Sequence, residues 1–247
     1  MSRKAAFVTG ASRGIGVAIA ERLVSAGLAV AVGYHRNGDL AEALVRRLRE
    51  QGGEAEAVQV DVAERDSVRR AFADARAALG SLDVLVNNAA IAQEKPFGDI
   101  TDDDWLAMMA TNLQGPFICA QEALPEMVER GWGRIVNMVS IGGQWGGVNQ
   151  VHYATAKAGL IGLTRSLAKV YSGRGINTNA VSPGLVATDM TAGELQSEAG
   201  REKARQIPVG RIGTVAEIAE AVAFLVGPGG DYVTGQTLNV NGGMYFG

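Results

Sequence analysis

Among the residues of this 247-residue chain, Tyr153 and Lys157 have the types and spacing best suited to chemistry. They stand four apart, and Ala158, Leu160, Ile161, Leu163, Thr164, Leu167 and Ala168 follow at helical spacing. On a helix, residues i and i+4 lie one above the other on one face. An ammonium beneath a phenol favours the phenolate and lowers the tyrosine pKa from its reference of about 10. A phenol tuned this way can give a proton to a carbonyl oxygen or take one from an alcohol. A bare Tyr-x-x-x-Lys is equally what a surface tyrosine and a solvated lysine look like, so the reading depends on the rest of the chain.

A second group is the turn Gly10-Ala11-Ser12-Arg13-Gly14-Ile15-Gly16, which joins a short apolar run to a helical pattern. Backbone N–H groups at such a helix start can hold a pyrophosphate. In NAD sites an acid about 20 residues further on takes the ribose 2′-hydroxyl. Here that neighbourhood reads Gly33-Tyr34-His35-Arg36-Asn37, with Arg36 where the acid would be and Arg13 inside the turn itself. Two guanidiniums suit a 2′-phosphate and hence NADP. The competing reading leaves both arginines solvated, with Asp39 nearby. His35 either stacks on adenine or is a spectator. Asp61 and Val62 end a third apolar run: Asp61 would accept from the adenine amino group while Val62 packs the ring, or Asp61 caps the next helix.

These groups need a scaffold, and the hydrophobic pattern supplies one. Strands are expected at 5–10, 28–34, 55–60 and 82–87, with helices at 15–24, 40–50 and 67–79 between them. The rhythm continues with a helix from about Asp102, which carries Asn112 and is disturbed near Pro116. A strand over 134–140, the Tyr153 helix, a strand over 176–181, a helix over 215–226 and a last strand over 237–240 follow. Alternating strands and helices at this spacing give a parallel sheet with crossover helices. Residues 183–208 read as a loop with short helical pieces. Without linker, repeat or low-complexity segment, residues 1–247 are expected to form one domain of the α/β class.

Composition narrows the function classes. A net charge of −3 and a pI near 5.5 argue against a general nucleic-acid binder. No apolar run reaches membrane-spanning length and no signal peptide is visible, so a cytoplasmic location without membrane partners is expected. Cys119 is the single cysteine and reads as a small core residue. No metal site is expected.

The ordered set Thr9-Gly10-x-x-x-Gly14-x-Gly16, Asn87-Asn88-Ala89, Asn112, Ser140, Tyr153-x-x-x-Lys157 and Pro183-Gly184 resembles the short-chain dehydrogenase/reductase family over the whole length. The resemblance implies a Rossmann-type, doubly wound, seven-stranded parallel sheet with helices on both faces. It implies Ser140 as the group that holds the substrate oxygen and Tyr153 as the acid in reduction. Lys157 would bind the nicotinamide ribose and depress the Tyr153 pKa, and Asn112 would hold a water through a main-chain carbonyl. Ser12, Arg13 and Ile15 would lie along the pyrophosphate and ribose, Asn88 and Ala89 would line the adenosine ribose, and Pro183, Gly184, Val186 and Thr188 would hold the carboxamide. One departure is Ala90, where the family's Asn-Asn-Ala-Gly has glycine. His152 should face away from the site as a loop or mouth contact.

Within the family, Asn179-Ala180-Val181-Ser182-Pro183-Gly184, Ile207-Pro208-Val209-Gly210-Arg211 and Thr234-Gly235-Gln236 resemble 3-oxoacyl-[acyl-carrier-protein] reductases and, in part, acetoacetyl-CoA reductases. That implies NADPH-dependent reduction of a β-ketoacyl thioester in fatty-acid or polyketide biosynthesis, an acyl carrier protein as partner and a homotetramer. Arg130 and Arg174 partly match the family's basic docking positions near the site mouth. A dehydrogenase of a sugar, steroid or other small alcohol shares the same fold. A dinucleotide-sensing protein without turnover has no need of the intact Asn112, Ser140, Tyr153 and Lys157.

Overall fold

The computed structural model describes residues 3–187 and 198–247. Strands β1 (Ala5–Val8), β2 (Ala29–Tyr34), β3 (Ala55–Gln59), β4 (Leu82–Asn87), β5 (Gly133–Met138), β6 (Ile176–Pro183) and β7 (Thr237–Val240) form one sheet in the order β3-β2-β1-β4-β5-β6-β7. Every pairing is parallel. Parallel strands need crossovers, and helices α1 (Gly14–Ser25), α2 (Gly38–Glu50), α3 (Arg65–Leu79), α4 (Asp102–Met109), α5 (Gly115–Arg130), α6 (Gly142–Trp145), α7 (Val151–Tyr171), α8 (Glu198–Arg205) and α9 (Val215–Val226) lie between or after them.

Both sheet faces are covered, which is why the strands read as continuous apolar runs. On one face Ala6, Val8, Val30, Val32 and Val86 pack with Ile19 and Leu23 of α1, Leu44 of α2 and Ile218 and Val222 of α9. On the other, Ala5, Phe7, Ala31, Leu85 and Ile135 pack with Phe72 of α3 and Ile118, Cys119 and Met127 of α5. The Phe7 and Phe72 rings lie 4.8 Å apart at 59°. Cys119 is fully buried, as expected, and burial pushes its thiol up to about 12.

Two expectations shift in detail. The disturbance expected near Pro116 lies just before it: α4 ends at Met109, Ala110–Gln114 winds as a π-helical turn, and α5 begins at Gly115. Pro116 sits in the first turn of α5, where its missing N–H costs nothing. In the segment expected as a loop with short helical pieces, α8 is such a piece, and the bridge of Val186 to Gly213 is the addition. Thr188 lies outside the described residues. Among the described residues no helix is long and apolar enough to cross a membrane.

Candidate active site

The order in which successive strands are added reverses between β1 and β4, and ligands of such sheets bind in the crevice beyond the carboxyl ends at that point. Gly10, with φ of +63°, and Gly14, with φ of +56°, turn the chain from β1 into α1. A Cβ on Gly10 would lie 2.7 Å from Ala89 Cα, and one on Gly16 would lie 2.4 Å from Gly10 O. Asn88 fastens this turn to β4: its Nδ2 donates to Thr9 O at 3.0 Å and to Gly10 O at 2.9 Å. Thr9 Oγ1 accepts from the N–H groups of Asn88 and Ala89.

The start of α1 carries no side-chain cap and no acidic residue in its first turn. Its backbone donors are therefore open to an anion, and the dipole favours one there. Arg13 and Arg36 are exposed, and neither is committed to an ion pair among the described residues. Ser12 and Ile15 flank the same turn, half-buried. Open donors, a glycine cradle and two free guanidiniums together fit a dinucleotide with a 2′-phosphate. Asp61 is not the cap of α3, whose N-cap is Glu64. Its Oδ1 accepts from Ala63 N at 3.0 Å and its Oδ2 faces His35 Nε2 at 3.3 Å, while Val62 is buried beside it. Packing beyond the local pattern thus removes the helix-cap alternative and ties His35 to Asp61.

Across the crevice, α7 carries Tyr153 and Lys157 on one face. Lys157 is buried and its Nζ donates to Met138 O at 2.7 Å, the last residue of β5. Ser140 follows two residues on, and its Oγ accepts from Gly142 N at 3.1 Å. The Ser140 hydroxyl lies near enough to Tyr153 to lower the phenol's pKa. The four expected catalytic residues are thus placed by β5, α7 and the π-turn, and three of them converge. Burial pushes the Tyr153 phenol above its ordinary value and the Ser140 hydroxyl pulls it partly back, whereas burial draws Lys157 down to about 8. This corrects the expectation that Lys157 leaves the Tyr153 pKa depressed: its Nζ sits 5.7 Å from the ring centroid, and desolvation of the phenol outweighs it.

Asn112 is fully buried in the π-turn. Its Oδ1 accepts from Ile91 N at 2.9 Å and its Nδ2 donates to Ile91 O at 2.8 Å, which staples the loop after β4 to the helix. Ala90, next to this staple, is exposed and is not among the residues with positive φ. Alanine in place of glycine therefore needs no left-handed backbone here.

Pro183 and Gly184 border the far side, where Ile141 N donates to Pro183 O and a Cβ on Gly184 would lie 2.8 Å from Asn241 Cα. Val186 is buried by its bridge to Gly213, so its side chain faces the core. Sequence reasoning missed several positioning groups. Gly143 lets α6 lie against α7, since a Cβ there would be 2.8 Å from Lys157 C. Gln144 donates to Ser182 Oγ and Asn239 Oδ1, joining α6 to β6 and β7. A buried chain runs from Asn87 Nδ2 to Asn137 Oδ1, and from Asn137 Nδ2 to Thr164 Oγ1. The Gly142-Gly143 pair beside Ser140 was the one sequence signal that could have pointed to this.

The anticipated basic patch at the mouth is not formed within one protomer. Arg130 is tied to Asp83 at 2.5 Å and to Glu126 at 3.2 Å, at the amino end of β4. Arg174 precedes β6 at the same end, and six-residue β5 separates that end from Ser140 by about 20 Å.

A doubly wound sheet with an open anion cradle at one side of its crevice and a Ser–Tyr–Lys cluster at the other defines a dinucleotide-dependent oxidoreductase. The chain belongs to the short-chain dehydrogenase/reductase family: the matching family model, described as enoyl-(acyl carrier protein) reductase, covers residues 10–245. It is 43% identical over 242 residues to a 3-oxoacyl-[acyl-carrier-protein] reductase of Staphylococcus aureus, covering 98% of each chain. It is 42% identical over 243 residues to one of Aquifex aeolicus, covering 98% of this chain and 97% of that one. Among solved structures, a blue fluorescent protein from a metagenomic library in complex with NADPH superposes with a TM-score of 0.93 at 42% identity, covering 99% of each chain. A gluconate 5-dehydrogenase of Burkholderia cenocepacia in complex with NADP and tartrate also reaches 0.93, at 35% identity, covering 98% of this chain and 95% of that one.

Proposed function

We propose that the protein, acting as one domain over residues 1–247, reduces the β-keto group of an acyl thioester with NADPH, the substrate being carried by an acyl carrier protein. The observation that carries this reading is Tyr153 paired on one helix face with a buried Lys157 that Met138 O holds, across the crevice from a glycine turn flanked by two uncommitted arginines. The names of the relatives from Staphylococcus and Aquifex support the thioester.

When bound, NADPH supplies a hydride to the carbonyl carbon. Ser140 Oγ and Tyr153 Oη hold the carbonyl oxygen, and Tyr153 Oη releases its proton to it. A phenol raised by burial stays protonated at neutral pH and is available as the acid. Lys157 Nζ, oriented by Met138 O, would hold the nicotinamide ribose, and its positive charge would stabilise the phenolate as the proton leaves. Arg36 and Arg13 would grip the 2′-phosphate. Gly10, Ser12, Gly14, Ile15 and Gly16 would carry the pyrophosphate, with Asp61, Val62, Asn88 and Ala89 around the adenosine and Pro183, Gly184 and Val186 at the carboxamide. Asn112 would act through its main-chain carbonyl, its side chain being spent on Ile91.

A tetramer in the cytoplasm completes the reading. An apolar groove of about 400 Å³ lined by Met109, Leu113, Gln114, Phe117 and Leu163 supports burial against a second copy.

The test is NADPH consumption with a β-ketoacyl group on its carrier, with its coenzyme A thioester, with an enoyl thioester and with a keto sugar acid. Turnover of the enoyl substrate alone, or of the sugar acid alone, would replace this reading. The gluconate dehydrogenase among the structural neighbours is what keeps the last arm in the panel.

A further inference from the structure

Tyr153 is the third residue of α7, and that helix starts badly. Gln150 at its N-cap makes no side-chain cap bond, and the first turn carries no acidic residue. First turns without caps fray. A proton donor placed there needs a tether from elsewhere in the fold.

The neighbouring loop after β4 supplies one. His152 is fully buried, and its Nε2 lies 2.8 Å from Gln93 Oε1. Gln93 Nε2 donates to Asp104 Oδ1 at 2.9 Å. A carboxylate only accepts, so Asp104 turns the Gln93 amide with its oxygen toward His152, and His152 must donate from Nε2. Among the described residues its Nδ1 is buried with no partner, so the link to Gln93 is the hydrogen bond that orients the ring. Two further contacts run alongside. Lys95 N donates to Asn149 O at 2.7 Å, and Gln150 Nε2 donates to Glu94 Oε1 at 3.4 Å. Asn149 is the single non-glycine residue with positive φ among the described residues, at 57°.

The anchor is the start of α4, which has what α7 lacks. Thr101 and Asp104 form a complete capping box. The same carboxylate takes Lys95 Nζ at 2.6 Å as well as Gln93.

Resting on the reductase reading above, we propose that Gln93 and His152 are positioning residues for Tyr153: through them the capped start of α4 holds the uncapped start of α7. Small displacements of a reacting group cost roughly 10²-fold in rate per ångström. Gln93→Ala should therefore lower kcat by roughly 10–100-fold, with KM and NADPH affinity unchanged. His152→Gln keeps an N–H donor near the Nε2 position and should retain most of kcat, whereas His152→Leu should match Gln93→Ala. The double variant Gln93→Ala/His152→Leu should be no slower than either single change.

Hydrogen exchange supplies a readout that needs no substrate. Amides of residues 151–156 should exchange faster in Gln93→Ala than in the wild-type protein, while those of α4 and β5 should not. If wild-type protein fails to turn over any β-ketoacyl thioester yet this local exchange appears, the tether stands and the substrate reading falls. Native kcat and native exchange in Gln93→Ala, or equal rates for His152→Gln and His152→Leu, would overturn the tether.

Discussion

At the scale of single residues, the site is shaped by desolvation more than by paired charges. Lys157 has its pKa drawn to about 8 while an unfolded lysine keeps about 10.5. Between those values the unfolded chain binds more protons than the folded one, so stability gains with rising pH across that window. Lys157→Met should remove this gain, which unfolding midpoints measured from pH 8 to 10.5 will read as a flatter slope than in the wild type. The same titration should appear in catalysis. Reduction needs Tyr153 protonated and Lys157 charged, so kcat should fall as pH rises through about 8; a profile with no alkaline limb there would separate the lysine charge from the rate. Tyr153→Phe keeps the ring packing and should retain NADPH binding while losing about 10²–10⁴-fold in turnover. Arg36→Ala should weaken NADPH by about 1.5–3 kcal/mol and leave NADH nearly unaffected, as titration of each cofactor would show. Equal losses would remove Arg36 from the 2′-phosphate site.

At the scale of elements, tight joints between strands and helices hold the crevice open in one shape. Gly16→Ala would force a methyl to 2.4 Å from Gly10 O and 2.7 Å from Asn88 Nδ2. The glycine turn would have to move off β4, and NADPH affinity should collapse even where circular dichroism reports a folded chain. Away from the crevice, Thr214 caps α9 with a reciprocal bond to Glu217. Thr214→Ala should cost about 0.5–2 kcal/mol in denaturant unfolding with kinetics unchanged.

At the scale of the molecule, apolar side chains remain outside the two cores. Leu106 and Phe117 are exposed beside the groove formed by Met109, Leu113 and Leu163. An exposed apolar patch of this kind marks an association surface. Phe117→Asp should shift the sedimentation coefficient toward smaller species, and a wild-type monomer at micromolar concentration would remove the tetramer. Arg174 and Arg130 lie at the far end of the sheet from Ser140 within a protomer. Carrier docking on them would reach only a site on another copy. Charge reversal at Arg174 should then raise KM for the carrier-bound substrate and leave a small thioester unaffected.

The sequence by itself determined the scaffold and singled out the candidate reacting groups. Runs such as 28–34 and 82–87 read as strands buried on both faces, because they are short, glycine-bounded and do not alternate with polar residues. Tyr153 and Lys157 were legible together because helical periodicity puts i and i+4 on one face whatever surrounds the helix. Tertiary structure decided what depends on neighbours distant in the chain. Whether the Tyr153 pKa falls or rises rests on how far the fold takes the phenol out of water, which its position on the helix does not tell. Whether Asp61 caps a helix rests on α3 starting at Arg65, four residues on. Local spacing is blind to a buried histidine whose hydrogen-bond partner, Gln93, is 59 residues earlier. Hydrogen bonds between separate segments have no period, so only the folded chain brings Gln93, His152 and Asp104 into one line.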